Sequence, residues 1–398
     1  MEYELLAPVG DFRSLRSAIE AGADAVYFGL KEFNMRDAAR NFSLRGLRKI
    51  RKICGKVKMY LTLNVVVYDS ELKKLERIVK KAKDYVDAIV CWDMAVIELC
   101  RRYNVPFHVS TQASVSNVAA AKFYKKLGAR RIVLARELNL KQIKKISKVV
   151  GVECFCHGAM CVAVSGRCFM SQYTYGSSAN RGKCAQLCRR SWKIFDDDGK
   201  ELRLENSRVM SAKDLCALPF VDKMKKAGVV AFKIEGRNRS PEYVSVVTSV
   251  YRKALDRKLS RSEILEGVGN LKRVYNRGFS AGFFFGTPTA DDFSWSENGE
   301  QSERKEFIGK VYKYWPRIGV CSVRMNTGRV KVGDEVYLIS DLVGCIRAVV
   351  KSIEFEGNRV GGAKKGEEVG IAFGDEVTGD ILQVTGLKGC EVYLIKKK

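Results

Sequence analysis

Along residues 4–235 short continuous apolar runs alternate with longer stretches whose apolar positions recur every three or four residues. The runs are ELLAP (4–8), AVYFG (25–29), KMYLTLNV (58–65), DAIVC (87–91), PFHVS (106–110), RIVLA (131–135), GVECFC (151–156) and VVAFKIE (229–235). Runs of this length suit strands buried on both faces, as in a parallel sheet covered by helices. Between them, DFRSLRSAIEAGA, SELKKLERIVKKAKDY and SPEYVSVVTSVYRKALD have helical periodicity. Eight successive β-then-α units predict an α/β fold, a closed TIM-type (β/α)8 barrel. A doubly wound open sheet is the alternative, because periodicity does not reveal closure. The first run is not followed by GxGxxG, which argues against a dinucleotide-binding sheet.

The pattern changes twice. Strands seven and eight are separated by about 70 residues, far more than one helix and its loops need. An insertion at 157–212 is therefore expected, rooted at the C-terminal end of strand seven, the end at which such barrels carry their active sites. The helical SEILEGVGNLKRVYNRG (262–278) closes the first unit, which spans 1–285. Residues 286–306 are polar and turn-rich and read as a linker. From 307 to 398 short alternating segments such as FIGKVYKYW, DEVYLIS and CEVYLIKKK predict a small antiparallel β-barrel.

Charge adds a partner. The chain holds 71 Lys and Arg against 45 Asp and Glu, a net +26. Residues 43–58 carry seven basic side chains and no acid, and residues 122–148 carry ten against Glu137 alone. Such a surface attracts polyanions, RNA above all, although a solvated lysine-rich face is the plainer reading. No run of about 18 apolar residues is present, so no membrane span is expected. The start, MEYELLAPVGD, lacks the features of a secretion signal, so a cytoplasmic setting with reduced thiols is expected.

Candidate chemistry centres on cysteine. Six of thirteen cysteines fall between Cys154 and Cys188. Cys161, Cys168, Cys184 and Cys188 form the set Cys-x6-Cys-x15-Cys-x3-Cys. Four thiolates suit zinc or an iron–sulfur cluster, and uneven spacing without Cys-x2-Cys knuckles favours a [4Fe–4S] cluster over zinc. Free thiols are the alternative. Cys154 and Cys156 read as core filling. Strand ends bring Asn64, Ser110, Gln112, Arg136, Glu137, His157, Glu235 and Arg237 toward one rim. Lys233, Glu235 and Arg237 alternate and so face one way, where burial is costly without partners or a function. Arg36, Arg40 and Asn41 follow strand two, placed to clamp an anion or to tie down their loop. His108 reads as a packed strand residue. GFSAG (278–282) has the spacing of a hydrolase elbow, but no histidine follows it. Neither HExxH nor a P-loop occurs.

The blocks ECFCHGAMCVAVSGRCFMS, NRGKCAQLCR, ELLAPVGDFRSLRSAIEAGADAVYFG, VSTQASVSN and FKIEGRNRSPEYV resemble the collagenase-like peptidases of unassigned mechanism, family 32. The resemblance spans residues 2 to about 285, and the C-terminal barrel resembles the extra domain of the tRNA-acting branch. It implies a [4Fe–4S] cluster on Cys161, Cys168 and Cys184, with Cys188 or Cys216 as the fourth ligand. It also implies a prephenate-dependent RNA hydroxylase that makes 5-hydroxyuridine at the tRNA wobble position. A 23S rRNA cytidine hydroxylase, the peptidase of the family name, and a non-catalytic RNA-binding protein are the alternatives. On this reading Arg36, Arg136, Lys233 and Arg237 hold the carboxylates of prephenate, Asn64 and Gln112 contact substrate, and Glu235 and His157 transfer protons.

Overall fold

The structure is a computed structural model that describes residues 3–202, 208–296, 299–375, 380–382 and 384–398. Its first unit is a closed barrel of eight parallel strands: β1 (Glu4–Pro8), β2 (Ala25–Gly29), β3 (Lys58–Thr62), β4 (Ala88–Cys91), β5 (Phe107–Val109), β6 (Arg131–Val133), β7 (Gly151–Gly158) and β8 (Val229–Ile234). Closure is made by β8, which pairs in parallel with both β1 and β7. The open-sheet alternative is thereby excluded. Almost every strand residue is buried, since the interior and the helical layer cover both faces.

Several helices start where the sequence supplies caps. The Asp11 carboxylate accepts the Ser14 N–H at the start of α1 (Phe12–Glu20), and Asn139 with Gln142 caps α6 (Leu140–Ile146) reciprocally. Helix α9 (Pro241–Asp256) begins with proline, whose missing N–H is not needed at that position. It lays Tyr243, Val247 and Tyr251 against the barrel wall. No described helix is long and apolar enough to cross a membrane.

The β7–β8 connection carries the cysteine-rich insertion. It contains the short helix α7 (Met170–Tyr175) and a small hairpin, Ile194–Phe195 with Glu201–Leu202. It then returns as Asp214–Cys216, antiparallel to the end of β7. Several contacts fasten the insertion to the barrel rim, among them Arg167 donating to the Gln112 carbonyl at 2.7 Å. Arg181 forms an ion pair with Glu71 and also donates to the Val66 carbonyl. Gly182, at φ +90°, packs where a Cβ would stand 2.3 Å from the Asn34 carbonyl oxygen, so only glycine lets the insertion approach that loop.

The second unit is a closed six-stranded antiparallel barrel. Its strands are Glu303–Trp315, Val320–Met325, Glu335–Ser340, Gly344–Phe355, Glu368–Asp375 and Glu391–Lys397. Val311, Val323, Leu338, Val350, Ile371 and Val392 fill it. Its first strand begins at Glu303, inside the stretch read as a linker, and the Glu303 carboxylate is gripped by Arg273 and Arg347. The two units are docked directly. Arg13 of α1 pairs with Glu391 at 2.6 Å, and Lys305 pairs with Glu242 of α9 at 2.8 Å. Gly344, at φ +72°, rests on α1, where a Cβ would lie 2.5 Å from the Ser17 nitrogen.

Candidate active site

A cavity of about 200 Å³ opens at the C-terminal end of the barrel, roofed by the insertion. Beneath it, the barrel interior holds a chain of charges. Lys58 and Arg131 bind the Glu4 carboxylate, Arg131 lies 3.3 Å from Glu153, and Glu153 accepts from Lys233 Nζ at 2.7 Å. Lys233 tops this chain and faces the cavity, with its ammonium 4.2 Å from the Tyr27 ring. Burial would raise both carboxylates, but their cationic partners overcome it, holding Glu4 at about 2 and Glu153 below its usual range.

The cavity wall is strongly cationic. Among the described residues it presents six arginines and Lys233 against one carboxylate, Glu235. Arg36 donates to Glu235 Oε1 through Nε at 3.1 Å and Nη2 at 2.9 Å. Arg136 lies 3.9 Å from Glu235 Oε2, donates to the Ala159 carbonyl at 2.7 Å and stacks on Phe155. Burial acts to raise Glu235, yet Arg36, Arg136 and Arg237 together hold it at about 2. It is therefore a fixed anion near neutrality and a weak base. Arg237 is buried with neutral partners, donating to Asn34 Oδ1 at 3.2 Å and Thr62 Oγ1 at 2.9 Å. Burial, with Arg36 nearby, pulls it down to about 10. An anionic ligand entering here would relieve that strain.

Asn64 and Gln112 form a neutral wall, with the Asn64 amide donating to Gln112 Oε1 at 3.3 Å. Ser110 donates to the same oxygen. Arg40 pairs loosely with Asp11 away from the cavity, and Asn41 donates to the Arg36 and Ala39 carbonyls, so its role is to hold the loop. Glu137 is exposed and off the wall.

The four expected thiols share the cavity lining: Cys161, Cys168, Cys184 and Cys188. Burial raises Cys188, Arg189 opposes this, and the charges of Cys161, Cys184 and Cys168 add to it, so those three thiols lie within electrostatic reach of Cys188. The Gln186 N–H points at Cys184 Sγ at 3.4 Å. Among the described residues no three Cys, His, Asp or Glu side chains converge tightly enough to hold a single metal ion. Cys216 is elsewhere, buried 3.9 Å from the Tyr251 hydroxyl and off the cavity wall.

His157 departs from expectation. It is 1% exposed and off the cavity wall, ringed by Tyr243, Tyr251 and Phe279. The reason lies in β7. Lys233 pairs with Phe155 but Ile234 pairs with His157, so Cys156 is an extra residue in a bulge. The bulge breaks the alternation and turns the imidazole outward toward α9. Burial there pulls its pKa down to about 3, leaving it neutral. His108 is also packed and neutral, edge-on to Tyr60.

Sequence reasoning missed Asn34, Thr62, Glu153 and two further wall arginines, Arg239 and Arg277. Glu153 was discoverable, as the lone acid inside the apolar run GVECFC. Arg239 and Arg277 reach the wall from loops whose direction no periodicity encodes.

The model for peptidase family U32 matches residues 10–294. A protein of Porphyromonas gingivalis named collagenase is 38% identical, over 94% of this chain and 96% of its own length. The tRNA hydroxylation protein P1 of Bacillus subtilis is 33% identical, over 91% of this chain and 89% of its own. The 23S rRNA 5-hydroxycytidine C2501 synthase of Escherichia coli is 39% identical over 68% of this chain, a match covering 41% of that longer protein. On the family match and these long, well-covered similarities, the chain belongs to peptidase family U32.

Proposed function

We propose that this chain is an RNA hydroxylase whose barrel mouth receives an unstacked pyrimidine together with a small carboxylate-bearing co-substrate. One observation carries the reading: four thiols and a surplus of buried arginines line the same cavity at the catalytic end of a β/α barrel. The names of relatives that hydroxylate tRNA or 23S rRNA point the same way. The finer assignment is C5-hydroxylation of the tRNA wobble uridine with prephenate as co-substrate, because near-full-length similarity joins this chain to the tRNA-named relatives.

Cys161, Cys168, Cys184 and Cys188 are the residues that would hold a [4Fe–4S] cluster. The donor set fits: four sulfurs spread around one cavity, a backbone N–H directed at one of them, and Arg189 beside Cys188. Such a cluster supplies one-electron redox chemistry. Arg237 and Arg136 bind and orient carboxylates, since a guanidinium fork matches that group. Glu235 keeps Arg36 in place and competes with any incoming anion for it. A base reaches this depth only by leaving its stack.

The experiment is mass spectrometry of tRNA nucleosides from a strain lacking the gene, with and without the wild-type copy. Loss and restoration of 5-hydroxyuridine is expected; an unchanged level refutes the tRNA assignment. Anaerobically purified protein is expected to be brown, with about four irons per chain. The collagenase name of one relative favours a peptidase as second reading. Neither His108 nor His157 lines the cavity, so no imidazole stands ready to activate its thiols. Gelatin cleavage by purified protein tests that reading.

A further inference from the structure

The roof of the cavity carries aromatic rings that have no part in folding. Phe169 is 73% exposed, Tyr173 94% and Tyr175 50%. Phe169 and Tyr173 are four residues apart in one helical turn, joined by the Tyr173 N–H to Phe169 carbonyl bond at 2.8 Å. They therefore stand side by side on the solvent face of α7. The opposite face of the same turn presents Met170 and Ser171 to the cavity, and Cys168 precedes it directly. The rings thus sit on the rim, with Phe169 next in sequence to Cys168.

Their surroundings are predominantly cationic, although Arg181 pairs with Glu71 and Lys193 with Glu201. From residue 154 to residue 195 there is no Asp or Glu, while Arg167, Arg181, Lys183, Arg189, Arg190 and Lys193 occur. Arg190 donates to the Tyr175 hydroxyl at 2.7 Å and lies against its ring. A protein-binding hot spot enriches aromatic residues and arginine but is depleted of lysine, and Lys183 and Lys193 stand here. Here rings and cations interleave, which is how surfaces that hold single-stranded nucleic acid are built: cations follow the phosphates, and rings take the faces of the bases. A duplex keeps its base faces stacked internally and offers nothing to such rings.

We infer that Phe169, Tyr173 and Tyr175 form a stacking platform for unpaired nucleotides flanking the one that enters the cavity. This rests on the RNA reading above. The platform selects unpaired loops over helices and holds the strand while one nucleotide turns inward.

The test is fluorescence anisotropy with the full chain and a labelled ten-nucleotide, uridine-containing RNA, single-stranded or annealed to its complement. Phe169→Ala and Tyr173→Ala are each expected to weaken single-strand binding about 5- to 150-fold. The slope of log affinity against log salt should stay unchanged in both, because no phosphate contact is lost. Lys183→Ala should lower that slope, and Tyr173→Trp should restore binding. Duplex affinity should be the same for the wild type and both ring variants. Both rings are exposed, so the fold tolerates the changes; melting curves check this. Wild-type binding with undiminished single-strand affinity in both alanine variants overturns the platform and leaves the RNA reading standing. A wild type that binds neither RNA overturns both.

Discussion

The charge chain inside the barrel invites a direct test at Glu153. Its side chain is fully buried, Lys233 is nearly so, and their contact is 2.7 Å. Glu153→Met keeps the volume and removes the charge. Arg131 still has Glu4, so the loss falls on Lys233, whose remaining close neighbours are the ring faces of Tyr27 and Phe155. Stripping one member from a buried pair costs about 3–5 kcal/mol. For a barrel of this size that lowers the melting temperature by roughly 5–8 °C. The double variant Glu153→Met/Lys233→Met removes both charges and should recover most of the loss. Urea melts of the three proteins at neutral pH provide the assay. A single variant that loses less than about 1 kcal/mol, as an exposed pair would, refutes the reasoning.

Other outcomes follow from the same geometry. Glu4 and Glu235 are held at about 2, so each contributes stability that is complete above about 4.5 and is lost as pH falls toward 2. The buried histidines, both near 3, resist protonation in the folded state, so the decline should begin below about 6.5; a flat urea midpoint down to pH 3 contradicts this. On the RNA reading proposed above, His157→Phe should leave the modification in cells intact, because the ring is off the cavity; abolished modification in a folded variant would restore it as a candidate catalytic residue. Cys188→Ser should sharply lower iron content after anaerobic purification while Cys216→Ser leaves it unchanged, and the reverse result would move the fourth ligand to Cys216. Gly344→Val should lower thermal stability by at least about 2 kcal/mol through its positive φ and its contact with Ser17, read by calorimetry; an unchanged curve would show that the two units do not dock as described.

The barrel was legible because each strand is a short apolar run and the longer helices carry their own periodicity, several with a cap. The second barrel was legible for the same reason, apart from its first strand, whose charged opening Glu303–Glu306 looks like linker. In the site, Lys233, Glu235 and Arg237 were readable because alternation on one strand places them together, and all three do line the cavity. The thiols were readable from density alone. His157 was not, because a bulge is a property of the pairing between two strands and leaves no mark on either one. Nor was the Arg237 cradle, which joins Asn34 and Thr62 to a residue about 200 positions away.

That single unpaired residue in β7 has a wider meaning. Deleting Cys156 would straighten β7 but leave the imidazole opposite Ile234, still on the outer face. Only a β8 one residue longer between Lys233 and Ile234 would pair Cys156 regularly and aim the imidazole into the barrel. The side on which this ring lies is thus fixed jointly by two neighbouring strands, and no substitution of a side chain would move it.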